Sequence, residues 1–265
     1  MYYSEEYKIG NVDVDINNNI KPTDLVKCLN ETANRQMNDR KPSYYDLFAE
    51  NKSFIITRMS IEIYGQVHQL DDITVRTWTA GERGATFFRG YQVMRGDEEL
   101  VRASADWAVV DVVDGHIYKT SEIDLSNYEA GEKPELSIKN RFIIPKDLVL
   151  DKLGVHHVDY GECDMNMHMN NTQYHNMLWN RIDGIIGKEL TSINIKFRTE
   201  ARYDSDIEIY GAKLENKELS GDSRAEEVYV FHTETEGSTN VEALIGVRKL
   251  RDEVPAYLRK YRDEA

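Results

Sequence analysis

Two runs of β-branched and aromatic residues, each tied to a helical stripe, follow one another along this chain, and the second retraces the order of the first. After Pro22, the residues Leu25, Val26, Leu29, Ala33 and Met37 recur at the three-and-four spacing of one buried helix face, through about Arg40. Strands are predicted next at 54–67, 73–80, 86–95 and 99–113, joined by short turns such as Arg95-Gly96-Asp97. The pattern then returns: a strand-like segment at 155–160, a helix carrying Tyr174, Met177, Leu178 and Ile182 on one side, and strands at 192–198, 206–214, 225–232 and 241–250. A shift of 134 residues lays Ile61 on Ile195, Asp72 on Asp206 and Ile73 on Ile207. An internal duplication of this kind lets each half bury its helix only by wrapping a sheet around it.

The expected fold class is therefore α+β, a tandem double hotdog in which each half is an antiparallel sheet wrapped around one long helix. The expected boundaries are an N-terminal hotdog over 1–120, a linker over 121–144, a C-terminal hotdog over 145–250 and a charged tail over 251–265. The linker shows little periodicity and collects Glu122, Asp124, Glu129, Gly131, Glu132, Pro134 and Glu135. Val254, Tyr257 and Leu258 give the tail a small apolar stripe, read as a surface helix. Residues 2–16 alternate weakly as an opening strand or two and end in Asn17-Asn18-Asn19, a turn.

Composition narrows the function classes. With 40% hydrophobic and 30% charged residues and only five prolines among 265, the chain lies outside disordered and collagenous classes. Its 47 acidic against 33 basic residues give a net charge of −14, which argues against nucleic acid and anionic membrane as partners. No apolar stretch approaches the roughly 18 residues of a membrane span, and the opening residues carry no signal-peptide pattern, so a cytoplasmic location is expected. Cys28 and Cys163 are too few for a disulfide framework, have no metal-ligand spacing and are expected to be reduced thiols.

The chemistry is expected at Asp164-Met165-Asn166-Met167-His168-Met169-Asn170-Asn171. On an extended backbone, Asp164, Asn166, His168 and Asn170 would share one face and the three methionines the other. Asn170 or Asn171 can then cap a helix, with Gln173 in capping-box register, so the polar row ends where free N–H groups could hold a carbonyl oxygen gaining negative charge. The competing reading is ordinary Asp/Asn turn chemistry before a helix. Alternating methionines with no Cys/His set read as core filler rather than a soft-metal site. The remaining histidines, His68, His116, His156, His157, His175 and His232, share no metal spacing. No metal or cofactor is expected.

The Asp-x-Asn-x-His-x-Asn-Asn row, a following helix with Tyr174 and Trp179, and then Phe197-Arg198-Thr199-Glu200-Ala201 resemble the acyl-acyl carrier protein thioesterases of plants and bacteria. In the first half Arg102-Ala103-Ser104-Ala105-Asp106-Trp107 resembles that family's Arg-Ala-x-x-x-Trp strand, and the likeness runs over roughly residues 2–250. The resemblance implies that Asp164, Asn166, His168 and Glu200 form the catalytic set. They would hydrolyse the thioester between a fatty acid and the phosphopantetheine arm of acyl carrier protein, the expected partner, in a monomer or homodimer. It also implies that the first half lines the acyl-chain tunnel. Many plant members carry Cys after the Glu; here the position is Ala201, and Cys163 is expected on the methionine face, so a cysteine acyl-enzyme is rejected.

From the residues, thioester hydrolysis needs an activated water and a held oxyanion. Glu200 is expected to position or deprotonate the water, His168 to handle protons, Asn166 with helix N–H groups to polarise the carbonyl, and Asp164 to orient its neighbours. Glu200 could equally be a strand-end carboxylate paired with Arg198 or Arg202. In the first half its equivalent is Gln66, and no such row precedes the first helix. Other hotdog acyl-thioester enzymes, such as acyl-CoA thioesterases or dehydratases, and a noncatalytic acyl-binding protein are the competing classes.

Overall fold

In the computed structural model, which describes residues 2–250, helix α1 (Pro22–Asp39) starts at the proline that the sequence marks as a first helical position. Its stripe is buried as the spacing requires: Leu25, Val26, Leu29, Ala33 and Met37 are all at most 3% exposed. The predicted tail at 251–265 lies outside the described residues. A second helix, α2 (Tyr44–Ala49), has no counterpart in the sequence reading; Ser43 caps it and Asp46 completes a capping box.

The chain divides into two compact units. The first comprises the residues up to Lys8, Val26–Gly65 and Asp71–Leu136; the second comprises Ile9–Leu25, Gln66–Leu70 and the chain from Ser137. The first unit carries β1 (Tyr3–Lys8), β2 (Lys52–Ile63), β3 (Asp72–Arg83), β4 (Thr86–Arg95) and β5 (Glu98–Asp111), hydrogen-bonded in the order β1-β3-β4-β5-β2. Every pairing is antiparallel. Its inner face presents Val75, Tyr91, Val93 and Ala103, all fully buried.

The second unit repeats this order with β6 (Asp151–His157), β7 (Lys188–Phe197), β8 (Asp206–Lys213), β9 (Glu227–Thr235) and β10 (Ser238–Lys249), arranged β6-β8-β9-β10-β7. Again every pairing is antiparallel. The α+β double-hotdog layout is thus present, two antiparallel five-strand runs of matching order with few helices. The 134-residue shift holds where β2 maps to β7 and β3 to β8. Beyond that it lengthens, because the turn at Gly84 and Ala85 is replaced by a connection over 214–226. One side of the second sheet is sealed by Phe142, Ala225, Val228, Val230 and Leu244, a hydrophobic cluster that draws in Ile144, Leu148 and Leu150 from the segment before β6.

The acid-rich stretch is more ordered than its composition suggests. Thr79 donates its N–H to Glu129 C=O (2.8 Å) and accepts at its own C=O from Gly131 (3.0 Å), a short parallel addition to β3. The Trp78 indole N–H donates to Glu132 C=O (2.8 Å). Close approach explains Gly90 and Gly131 here: a Cβ on either would fall within 2.7 Å of the Trp78 ring.

The helix of the second unit, α3 (Gln173–Trp179), is shorter than its pattern implies. Tyr174, Met177, Leu178 and Ile182 are buried as expected. The chain nevertheless leaves the helix after Trp179 and turns through Gly184 and Gly187, both with positive φ. Thr23 anchors α3 within this unit: its hydroxyl donates to Thr172 C=O (2.9 Å) and its N–H donates to the Asn176 side chain (3.1 Å).

Candidate active site

The polar row folds differently from the extended strand that its alternation suggests. Cys163 and Met169 are bridged antiparallel, Asp164 N–H donates to His168 C=O (3.0 Å) and Met167 N–H donates to Asp164 C=O (3.0 Å). The segment is a tight hairpin whose tip is Met165-Asn166. Turn chemistry prevails because the Asp164 carboxylate accepts the N–H of Asn166 (2.8 Å), giving the backbone a local partner that a ladder would otherwise supply. The two-faced picture fails with it. Met169 is buried, but Met165 and Met167 are 75% and 67% exposed.

Hairpin closure is what brings the site together. His168 bridges Arg202, Met169 N–H donates to Ala201 C=O (2.8 Å), and Tyr203 N–H donates to Met167 C=O (3.0 Å). These bonds lay residues 167–169 alongside 201–203, so the side chain of residue 168 meets that of residue 200. His168 Nδ1 lies 2.9 Å from Glu200 Oε2, with the imidazole side chain 25% and the carboxylate 65% exposed. Glu200 pairs with neither Arg198 nor Arg202. Arg198 is taken by Glu242 (2.8 Å).

The segment carrying Glu200 is held by Asn240, which no sequence signal singled out. Asn240 C=O accepts from Arg198 N–H (2.8 Å), and its side-chain amide donates to Thr199 C=O (3.3 Å). Behind it, Ala201 is fully buried and its backbone hydrogen-bonds the Tyr174 hydroxyl. Burial pushes that phenol up to about 12. Of the four residues expected at the site, His168 and Glu200 are in direct contact, Asp164 and Asn166 are joined through the turn, and Asn166 is exposed.

Two further expectations are corrected. The N–H groups expected to be free where α3 begins are occupied: Thr172 N–H donates to Asn170 Oδ1 (3.0 Å) and Gln173 N–H to Asn170 C=O (2.9 Å). Cys163 is half-buried rather than packed in a methionine row, its Sγ 3.6 Å from Asp159 C=O. Burial, together with Asp164 and Glu162, raises its thiol pKa.

Of the other histidines, His156 meets Glu162 (2.9 Å), His157 meets Asp206 (2.9 Å), His232 meets Glu234 (2.8 Å) and His68 meets Asn18 C=O (2.8 Å). Among the described residues, no three His, Cys, Asp or Glu side chains gather as a metal site would require. No described helix is long and apolar enough to cross a membrane.

His175 lies behind the site in α3, fully buried, with Nδ1 3.2 Å from Thr172 C=O and Nε2 without a partner. Desolvation lowers its pKa to about 4 from the usual 6.5. The unfolded chain therefore binds the extra proton first, and the stability this neutral imidazole contributes is complete above about pH 6.5 and lost as pH falls toward about 4. We expect His175→Phe to flatten the pH dependence: relative to wild type it should gain about 2 kcal/mol between pH 7.5 and pH 5, read by denaturant unfolding. Parallel curves would assign acid sensitivity elsewhere.

Residues 1–122 match the acyl-ACP thioesterase N-terminal domain, and residues 151–246 match the acyl-ACP thioesterase C-terminal domain. The chain belongs to the acyl-ACP thioesterase family. It is a thioester hydrolase acting on fatty acyl-acyl carrier protein. Solved structures agree in fold. An acyl-ACP thioesterase from Bacteroides thetaiotaomicron superposes with a TM-score of 0.80 at 15% identity, covering 93% of this chain and 98% of that one. A putative oleoyl thioesterase from Lactobacillus plantarum gives 0.80 at 17% identity, covering 95% and 98%. The 12:0-ACP thioesterase from Umbellularia californica gives 0.75 at 14%, covering 94% of each. No curated protein matches the sequence of this thioesterase.

Proposed function

We propose that His168 and Glu200 activate the water that hydrolyses the acyl-carrier thioester, with Asp164 and Asn166 completing the site. The observation that carries this reading is the 2.9 Å approach of Glu200 Oε2 to His168 Nδ1. A carboxylate on Nδ1 favours the tautomer with its proton there, which leaves the Nε2 lone pair to take a proton from water. The division of labour then differs from the first expectation: His168 is the base and Glu200 orients it. The water oxygen bonds to the thioester carbonyl carbon as its proton passes to Nε2. The tetrahedral intermediate collapses by breaking the carbon–sulfur bond, and the imidazolium returns the proton to the departing sulfur. The products are a fatty acid and the carrier thiol.

The oxyanion falls to the Asn166 side-chain amide, since the Thr172 and Gln173 N–H groups where α3 begins are spent on Asn170. Asp164 acts at one remove, as its carboxylate shapes the turn that presents Asn166. The first hotdog, residues 1–120 in the sequence division, is proposed to hold the acyl chain. A role in fatty acid biosynthesis and a cytoplasmic location follow from the same reading.

Direct water attack requires no acyl-enzyme. A thiol with a raised pKa is mostly protonated at neutral pH and a poor nucleophile, which supports this route over Cys163. Cys163→Ala should retain at least about half of wild-type activity, and wild type quenched during turnover should carry no acyl adduct by intact-mass measurement. An acyl adduct that disappears in Cys163→Ala, together with total loss of activity, would overturn the mechanism.

A further inference from the structure

The hairpin that supplies His168 also exposes an apolar surface that hydrolysis itself does not use. Met165 and Met167 are 75% and 67% exposed; beside them stand Tyr160, 84% exposed, and Tyr203, 45% exposed. Met167, Tyr160 and Tyr203 form one patch, and Met165 stands at the adjoining hairpin tip. Tyr203 N–H donates to Met167 C=O, the Tyr160 and Tyr203 rings meet edge to face at 6.2 Å, and Cys163 N–H reaches back to Tyr160 C=O (3.3 Å).

Met167 holds the left-handed conformation, with φ +63. That position in a tight hairpin favours Gly or Asn, and an unbranched side chain there costs about 1 kcal/mol. A large apolar side chain stands in solvent at a strained position, one residue from His168. Backbone strain of this sort clusters where ligands are held, and methionine, flexible and polarisable, suits a surface that must mould to a thin, mobile ligand.

Resting on the acyl-carrier reading above, we propose that Met165, Met167, Tyr160 and Tyr203 form the platform for the pantetheine arm of the substrate. The arm is bonded to the sulfur of the scissile thioester, so beyond the cysteamine end that sits at the reacting centre its outer part must cross the surface around His168 and Glu200. Its chemistry fits: a gem-dimethyl group and methylenes for the methionine and tyrosine side chains, interrupted by amides that tolerate solvent.

The test compares one long acyl group on three thiols: holo-acyl carrier protein, pantetheine, and N-acetylcysteamine, which lacks the outer part of the arm. The variants are Met165→Ser/Met167→Asn, with Asn chosen because it accepts positive φ, and Tyr160→Ser. The expected result is a KM raised roughly tenfold on the carrier and pantetheine thioesters with kcat within about twofold, and a KM on the N-acetylcysteamine thioester changed by less than about twofold. Hydrolysis of this last substrate doubles as the control for folding. Equal loss on all three thioesters, no change on any, or a change confined to the carrier thioester would each overturn the proposal, the last moving the patch to the carrier's own surface. Failure of wild type on the carrier thioester would instead be a failure of the functional reading.

Discussion

His168→Ala should lower kcat on acyl-carrier thioester by about 10³-fold with little change in KM, because it removes the group that takes and returns the proton while leaving the binding surfaces in place. Glu200→Gln is expected to cost roughly 10²-fold. An amide at this position can still meet Nδ1, but it carries no charge to stabilise the imidazolium and no longer fixes the tautomer. The two losses should not add: once the imidazole is gone, the carboxylate 2.9 Å away has nothing to orient. The double variant should therefore match His168→Ala within about threefold. Steady-state rates of thiol release for the four proteins form the cycle, and fully multiplicative losses would mean that the residues act separately.

Glu189→Ala should destabilise the fold by about 3–5 kcal/mol. Glu189 on β7 and Arg248 on β10 are register partners, only 2% and 4% exposed, and the Arg248 guanidinium donates through Nε to the Glu189 carboxylate. Arg248 Nη1 is already buried without a partner, so removing the carboxylate strands a cation with no solvent to receive it. Glu189→Leu/Arg248→Met should recover most of the loss, since an apolar pair of similar volume avoids desolvating two charges. Urea unfolding at neutral pH reads both. A single-variant loss below about 1 kcal/mol would show that water reaches this pair in the folded protein.

The framework of the fold is legible in the sequence because burial alternates along the strands and recurs every three to four residues on α1. Ile73, Val75 and Thr77 sink while Thr74 and Arg76 stay partly exposed, and Leu25 through Met37 mark one helical face. Helix α2 escapes because six residues carry too little period, although Ser43 and Asp46 spell its capping box. The length of α3 is misjudged because Ile182 continues the apolar spacing into a turn, and two glycines with positive φ decide the matter instead.

Within the site, residue types and order are readable, but the shape is not. Alternation of Asp, Asn and His with methionine fits a strand, yet one bond from the Asn166 N–H to the Asp164 carboxylate closes a hairpin and sends two methionines into solvent. Whether Glu200 would pair with His168 or with a neighbouring arginine depends on which strand end Asn240 grips and on Glu242 drawing Arg198 away. Those are long-range contacts, and local pattern does not encode them.

The most direct test of the account loads acyl carrier protein with a long acyl chain, adds wild-type enzyme, and counts free thiol and free fatty acid together, with the same acyl group on coenzyme A as the comparison. The expected result is one thiol and one fatty acid per carrier, released at higher kcat/KM than from the coenzyme A thioester. Acid and thiol in unequal amounts, or release from coenzyme A at equal or greater efficiency, would contradict it.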